Sequence, residues 1–332
     1  MLPFAKGKTP PRNLLVLVMH PARQSEEDMA AIAREVVKSA PDITVHIVRP
    51  GGTAGDLPAW KWELPALTVA LGRSSGFVPR RGPMLHNRPV KKLDQYCRFA
   101  ACGIPSPHTE RFGFGQRYCE QHFGSHVVLK PLPLDLTSSM GNMMLCETRR
   151  LQLLRPDSFA PDHFLRRAPA LVQRFIDTGP RPEYFRVLTL LGEPILWMRV
   201  KSAAEQADFS SAGADLAEQA IIDPRSTYAA AKEGFSELIE FVVPEDVSSF
   251  AREVYSAFPD IPLQACDIVR EEAAGTLHIL EINAGGNTWD FSSKRVEAAR
   301  ERIGGRDRLV SLFDPWPRAA RALIAKTRQL AR

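Results

Sequence analysis

Cysteine pairs, long apolar runs and phosphate-loop glycines are what this sequence lacks. Its five cysteines, at 97, 102, 119, 146 and 266, form no C-x-x-C pair and are odd in number. That argues against a disulfide framework or a zinc site, and for reduced thiols in a reducing compartment. No apolar run of about eighteen residues occurs, so no transmembrane helix is expected. The opening stretch MLPFAKGKTPPRN is too polar and proline-rich for a signal peptide and reads as a short disordered arm. A cytoplasmic protein is expected. The net charge of +5 is small for 332 residues, and no Lys/Arg block stands out, so neither nucleic acid nor membrane is an expected partner. No G-x-G-x-x-G follows the first apolar run, which disfavours a dinucleotide site, and no Walker motif or G-x-S-x-G elbow occurs. The eight histidines show no metal-ligand spacing.

What is present is a globular composition, 44% hydrophobic and 24% charged, on a chain long enough for two or three domains. Asn13–Met19 is a continuous apolar run of the buried parallel-strand kind. A helix follows over Ser25–Ala40, with Ser25 as N-cap and Met29, Ile32, Val36 and Val37 on one face. Ile43–Val48 and Leu67–Leu71 read as further strands, so the first 85 or so residues form an open α/β domain. Beyond it, Pro89–Ala101 reads as a helix with Leu93, Tyr96 and Ala100 on its stripe, and His126–Leu129 and Ala170–Ile176 as strands. Phe185–Leu191 and Glu193–Lys201 flank Gly192 as a hairpin, Asp246–Phe258 is an amphipathic helix, and Ala265–Arg270 with Thr276–Ile282 makes a second hairpin.

Three places carry chemistry. In the last hairpin Glu281 and Asn283 are two apart and share a strand face, with Asp267 at the matching place on the partner strand. Two carboxylates and an amide, all oxygen donors, suit Mg²⁺ completed by substrate phosphates. A solvated polar strand end would give the same pattern. Lys130 closes an apolar strand ahead of the loop holding Ser138, Ser139 and Gly141. A lysine pinned there is a point charge for phosphate, and equally a snorkelling surface residue. The hairpin carries Arg186, Arg199 and Lys201; Arg199 and Lys201 share a face, and Arg186 is expected to reach the same side. Cations opposite a carboxylate cluster are what phosphoryl transfer needs, although an exposed basic hairpin would look alike. His278 alternates with the acidic positions and is expected on the opposite face, as a packed or surface histidine.

Taken in order, these residues resemble the ATP-grasp superfamily, carboxylate–amine ligase type. Pro89–Leu93 through Cys102–Pro107 resembles the helix that opens the module. Val127–Pro131 resembles its phosphate-lysine strand, Ser138–Met144 its glycine-containing loop, and Leu171–Ile176 its hinge strand. Tyr184–Val187 with Gly192 resembles its Asp-x-Arg-Val hairpin, with Tyr184 where the family carries an acid. Asp267 with Glu281-Ile282-Asn283 is similar to its metal-binding strands. No Arg-x-Asn segment appears in 202–219, and Gly285-Gly286-Asn287-Thr288-Trp289 replaces the commoner Ser-x-Pro-Gly ending.

The resemblance implies an α/β (α+β) fold. A Rossmann-like open α/β domain (1–85) would precede an ATP-grasp module of two α+β subdomains, central (86–168) and C-terminal (169–332). It implies ATP, with one or two Mg²⁺ ions replaceable by Mn²⁺. Lys92, Lys130, Ser138, Ser139 and Gly141 would meet the phosphates. Gln173, Arg174 and Phe175 would border adenine, Gln173 and Phe175 mainly through backbone groups, and Asp177 would serve ribose. Arg186, with Arg199 or Lys201, would stabilise the transferring phosphoryl group, and Asp267, Glu281 and Asn283 would hold metal. The implied reaction joins a carboxylic acid to an amine through an acyl phosphate, releasing ADP and phosphate. A small-molecule kinase on the same fold and a catalytically silent ATP-binding regulator are the alternatives. Small-molecule acid and amine substrates are the expected partners, with a homodimer left open.

Overall fold

The computed structural model describes residues 11–20, 22–72, 76–133, 143–202, 239–284, 289–294 and 297–332. The positions Ser138, Ser139, Gly141 and Gly285–Thr288, and almost all of 202–219, lie outside the described residues. No helix among the described residues is long and apolar enough to cross a membrane.

Strand β1 (Asn13–Val18) is apolar and buried from Leu14 onward, with protein covering both its faces. It pairs in parallel with β2 (Ile43–Val48) and β3 (Ala66–Ala70), and β3 with β4 (Met84–His86), in the order β2-β1-β3-β4. The helix Glu26–Ser39 between β1 and β2 begins where expected. The Ser25 hydroxyl accepts from the Asp28 amide, and three acidic residues in the first turn face the positive end of the helix dipole. Met29, Ile32 and Val36 are buried, but Val37 is 47% exposed. Successive helical residues are about 100° apart, so only one of the two valines can face the core. That helix and the helix Pro315–Leu330 cover one face of the sheet, while Leu57, Trp62 and Phe77 cover the other.

The second sheet is antiparallel: β5 (Thr109–Arg111), β6 (His126–Pro131), β7 (Met144–Glu147) and β8 (Ala170–Arg174), in the order β5-β8-β6-β7. It crosses the expected division at 168/169, because β8 forms ladders with both β5 and β6. The third sheet joins β9 (Glu183–Leu190), β10 (Glu193–Lys201), β11 (Ile239–Glu240), β12 (Leu263–Arg270) and β13 (Leu277–Asn283) in the order β11-β10-β9-β12-β13. An open parallel α/β unit followed by two antiparallel sheets is the expected fold class.

The β9–β10 hairpin turns at Leu191 (φ 54) and Gly192 (φ 86), the two left-handed residues of a twisted two-residue loop. A Cβ on Gly192 would come within 2.8 Å of the Tyr255 ring. One face of the third sheet packs on helices Lys92–Ala101 and Glu245–Val254, through Phe185, Val187, Cys266 and Ile268. Lys92–Ala101 buries Tyr96 of the expected stripe and packs Leu93 against the same core, but Ala100 is exposed and Gln95 and Phe99 are buried in its place. The other face is divided. At one end Leu188, Leu190 and Leu263 are buried against the first domain, and at the other the sheet fronts a cleft.

Candidate active site

The cleft lies between the second and third sheets. Val128, Lys130 and Leu145 line it from one side, Tyr184, Val200 and Leu280 from the other, and it holds about 890 Å³ of space open to solvent. Its walls are apolar and its charges sit at defined places.

The acidic end is a single rung across three strands. Arg186 on β9 is opposite Asp267 on β12, which is opposite Glu281 on β13. Arg186 donates from Nε and Nη2 to the two Asp267 oxygens at 2.7 and 2.9 Å. Asn283 Nδ2 donates to Asp267 Oδ2 at 2.9 Å and to Glu281 Oε1 at 3.4 Å. Asp267, Glu281 and Asn283 therefore meet at one point. The Asp267 charge holds the Arg186 pKa well above its ordinary value against the cost of burial. Arg186 Nη1 makes no hydrogen bond among the described residues, and the guanidinium lies 5.7 Å from the Tyr184 ring centre.

No group of three or more His, Cys, Asp or Glu side chains able to hold a metal occurs among the described residues. The donors here are two carboxylates and one amide. Half a turn of the Asn283 amide exchanges its donor for an oxygen at the same point. The chemistry of this set fits a hard divalent cation that keeps waters or phosphate oxygens in its remaining positions.

The cationic end faces it. Lys130 Nζ donates to Gln173 Oε1 at 2.7 Å, and Gln173 Nε2 donates to Thr109 Oγ1 at 3.0 Å. Burial lowers the Lys130 pKa to about 8, opposed by the charges of Glu281 and Asp267 and reinforced by Lys92. Lys92, the first residue of its helix, donates to the Pro131 carbonyl at 2.6 Å. Burial lowers its pKa too, against the pull of Glu281. Two lysines and two carboxylates thus act on one another across the cleft.

Other expectations are corrected. Arg199 is opposite Phe185 and Lys201 opposite Glu183, on the face of the sheet away from Arg186. Arg199 is held by Glu183 at 2.7–3.0 Å, and Lys201 reaches Glu240 at 3.4 Å, although Lys201 borders the cleft at its strand end. The cause is a β-bulge between Pro194 and Leu196, which shifts the register by one residue and so exchanges the faces. A second bulge, between Asp267 and Ile268, acts on His278. It is opposite Val269, a cleft residue, and lies 3.5 Å from Glu271, the partner of Arg174. It is buried as expected, but on the acidic side.

The Asp177 carboxylate accepts from the Gly179 amide at 2.9 Å, closing its own turn, and Thr178 lines the cleft instead. The Arg174 and Phe175 amides are bonded to the His108 and His126 carbonyls. Contact with a base would therefore not use these two amides.

Sequence reasoning passed over three residues. Gln95 bonds both the N–H and the C=O of Ile282, at 2.8 and 3.2 Å, and Tyr96 donates to the Leu280 carbonyl. With the Pro105 carbonyl, which accepts from the Ile279 amide at 3.0 Å, they hold the edge of β13 away from β12. A buried glutamine carries no periodic signal. Asp290, a few residues past the Gly285-Gly286 pair of the sequence, has its pKa raised by burial to about 6, with Arg186 and Arg300 opposing the shift. An acidic residue between two aromatic ones, Trp289 and Phe291, was the available sign.

No protein-family model and no curated protein sequence matches this chain. Among solved structures it is similar to the ATP-grasp ligase PsnB complexed with minimal precursor (15% identity, 95% of this chain and 100% of that one, TM-score 0.48). It is also similar to the D-cycloserine synthetase DcsG (14% identity, 95% and 99%, TM-score 0.47). A third similarity is to the D-alanine–D-alanine ligase of Bacillus anthracis (11% identity, 94% and 99%, TM-score 0.41).

Proposed function

We propose that this protein is an ATP-dependent ligase that joins a carboxylic acid to an amine. The observation that carries the reading is the rung Arg186–Asp267–Glu281, with Asn283, set across an apolar-walled cleft from Lys130 and Lys92. Such a cleft separates the needs of one ligand. A flat base suits the Val128, Leu145 and Leu280 walls, and a polyphosphate suits the space between the lysines and the acidic rung. The motif order that resembles ATP-grasp enzymes supports the same reading.

Lys130 and Lys92 bind phosphate oxygens. Each is desolvated in the free protein, so a phosphate supplies the counter-charge that burial withholds. Asp267, Glu281 and Asn283 would hold Mg²⁺, which would supply positive charge to neutralise the outer phosphates. Arg186, fixed by Asp267, places its guanidinium where charge builds on the transferring phosphoryl group. The substrate carboxylate attacks the terminal phosphate and ADP departs. The amine then attacks the acyl carbon and phosphate leaves. Phosphorylation is needed because a carboxylate oxygen is a poor leaving group, and the acyl phosphate must be kept from water.

The test is incubation with ATP, Mg²⁺, hydroxylamine and a panel of carboxylic acids. ADP release with a hydroxamate supports the ligase; a stable phosphorylated product without hydroxamate replaces it with a kinase. Glu281→Gln should lower turnover by about 10³-fold or more with an unchanged circular dichroism spectrum. Near-normal activity of this variant would remove the metal assignment.

A further inference from the structure

Three strands of the second sheet meet at one buried amide. Gln173 on β8 is opposite Thr109 on β5 and Val128 on β6, and it is 1% exposed. Lys130 stands two residues beyond Val128, so it shares that face of β6. Val128, Lys130 and Gln173 all line the cleft. Gln173 Oε1 accepts from Lys130 Nζ at 2.7 Å, and Gln173 Nε2 donates to Thr109 Oγ1 at 3.0 Å. The Thr109 hydroxyl donates in turn to the Pro107 carbonyl at 2.8 Å. A chain of hydrogen bonds thus runs from the ammonium in the cleft to the backbone ahead of β5.

Counting donors fixes the direction of that chain. A threonine hydroxyl has one hydrogen, and here it is spent on Pro107, so Oγ1 is left to accept. Its neighbour on Gln173 must then be the amino group, which leaves the amide oxygen for the lysine. Turning the amide over would set amino group against ammonium, and oxygen against an oxygen with no hydrogen to give. Both contacts would be lost at a buried position, where lost partners are costly. A lysine head on its four-carbon stem is otherwise free to take many positions. Here it is held in one place before any ligand arrives, which lowers the ordering cost of binding. The atom that holds it is a neutral oxygen. Arg186 across the cleft is gripped by the Asp267 carboxylate, which offsets its charge. The Gln173 contact fixes Lys130 and leaves its charge to act on an anion.

We propose that Gln173 is a positioning residue whose side-chain amide holds the Lys130 ammonium ready for a nucleotide phosphate, with Thr109 setting the direction of the amide. The inference rests on the ligase reading and places the work of the Gln173 side chain at the phosphates, where the sequence resemblance implies a border to adenine.

The experiment measures Kd for ATP and for adenosine by calorimetry on the full chain. Gln173→Met should weaken ATP by about tenfold and leave adenosine, which has no phosphate, within about twofold. In a Lys130→Met background the same substitution should change ATP affinity by less than about twofold, because the group it positions is gone. Gln173→Glu should weaken ATP more than Gln173→Met does, since a carboxylate there cancels the lysine charge. Thr109→Val should weaken ATP by about threefold and Thr109→Ser should restore it; this pair carries the test by itself if Gln173→Met does not fold. An equal loss of ATP and adenosine affinity in Gln173→Met overturns the proposal, because the side chain would then serve the base. A full loss on the Lys130→Met background overturns it too, as does a Thr109→Ser variant as weak as Thr109→Val. Wild-type ATP binding that Gln173→Met leaves unchanged overturns it while the ligase reading stands. A wild-type protein that binds no ATP overturns both.

Discussion

The third sheet carries two arginine–carboxylate pairs, one on each face, and by contact geometry they are nearly the same. Arg186 grips Asp267 at 2.7 and 2.9 Å, and Arg199 grips Glu183 at 2.7–3.0 Å. The arginine side chains are 35% and 32% accessible. A close two-pronged pair therefore does not mark a site. Their surroundings separate them. Arg199 has Glu240 within 3.5 Å and lies 5.8 Å from the Phe185 ring centre, so it completes a local network. Arg186 shares Asp267 with Asn283, has Glu281 on the same rung, and faces two desolvated lysines across the cleft. Charge left uncompensated around a pair, and not the pair itself, distinguishes a place built to receive a ligand.

Substitution should separate the two sharply. Arg186→Ala should reduce turnover by about 10²–10³-fold, while Arg199→Ala should stay within about threefold and lose no more than about 1 kcal/mol of stability. Steady-state kinetics and urea titration of both variants check this, and comparable losses of turnover would erase the distinction. A second contrast is in pH. Lys130 carries its charge below about 8, so ATP affinity should fall as pH rises through that value, approaching about tenfold per unit, and Lys130→Met should flatten the profile. Stability should move the other way. Between the folded value of about 8 and the ordinary lysine value the unfolded chain binds more protons, so this residue favours the folded state increasingly as pH rises. Calorimetric titration and melting curves over the same range read both signs. The smallest effect concerns the scaffold of the rung. Gln95→Leu strips the Ile282 N–H and C=O of their partners and should cost about 1–3 kcal/mol, seen as a lower denaturation midpoint at constant slope.

Much of this was legible in alternation alone. Asp267, Glu281 and Asn283 meet because a strand repeats every two residues and the second hairpin keeps its register as far as Asp267. The same argument failed twice, and each time at a bulge. Leu190 is opposite Glu193, and without interruption that register would have put Arg199 and Lys201 beside Arg186; the irregularity at Pro194–Leu196 turns them over. The one at Asp267–Ile268 does the same to His278. Parity is lost wherever one residue is inserted, and a proline inside a strand is the warning that Pro194 gave. The amides that hold strand edges were hidden for a different reason. Gln95 and Asn87, the latter bonding both backbone groups of Leu263 at 2.8 and 3.0 Å, act on distant strands, and no local pattern encodes a partner so remote. The acid at 290 became visible only when the fold placed Arg186 near it.

The helix Pro315–Leu330 lays Ala319, Ala320, Leu323 and Ile324 against the core that Leu15 and Leu17 of β1 begin. Strand β1 thus completes its burial with residues from a helix far along the chain. Until those are synthesised, an apolar sheet stands half covered during translation. Completion of this core must wait until that helix has been made, and products truncated ahead of Pro315 would present the sheet to chaperones and proteases.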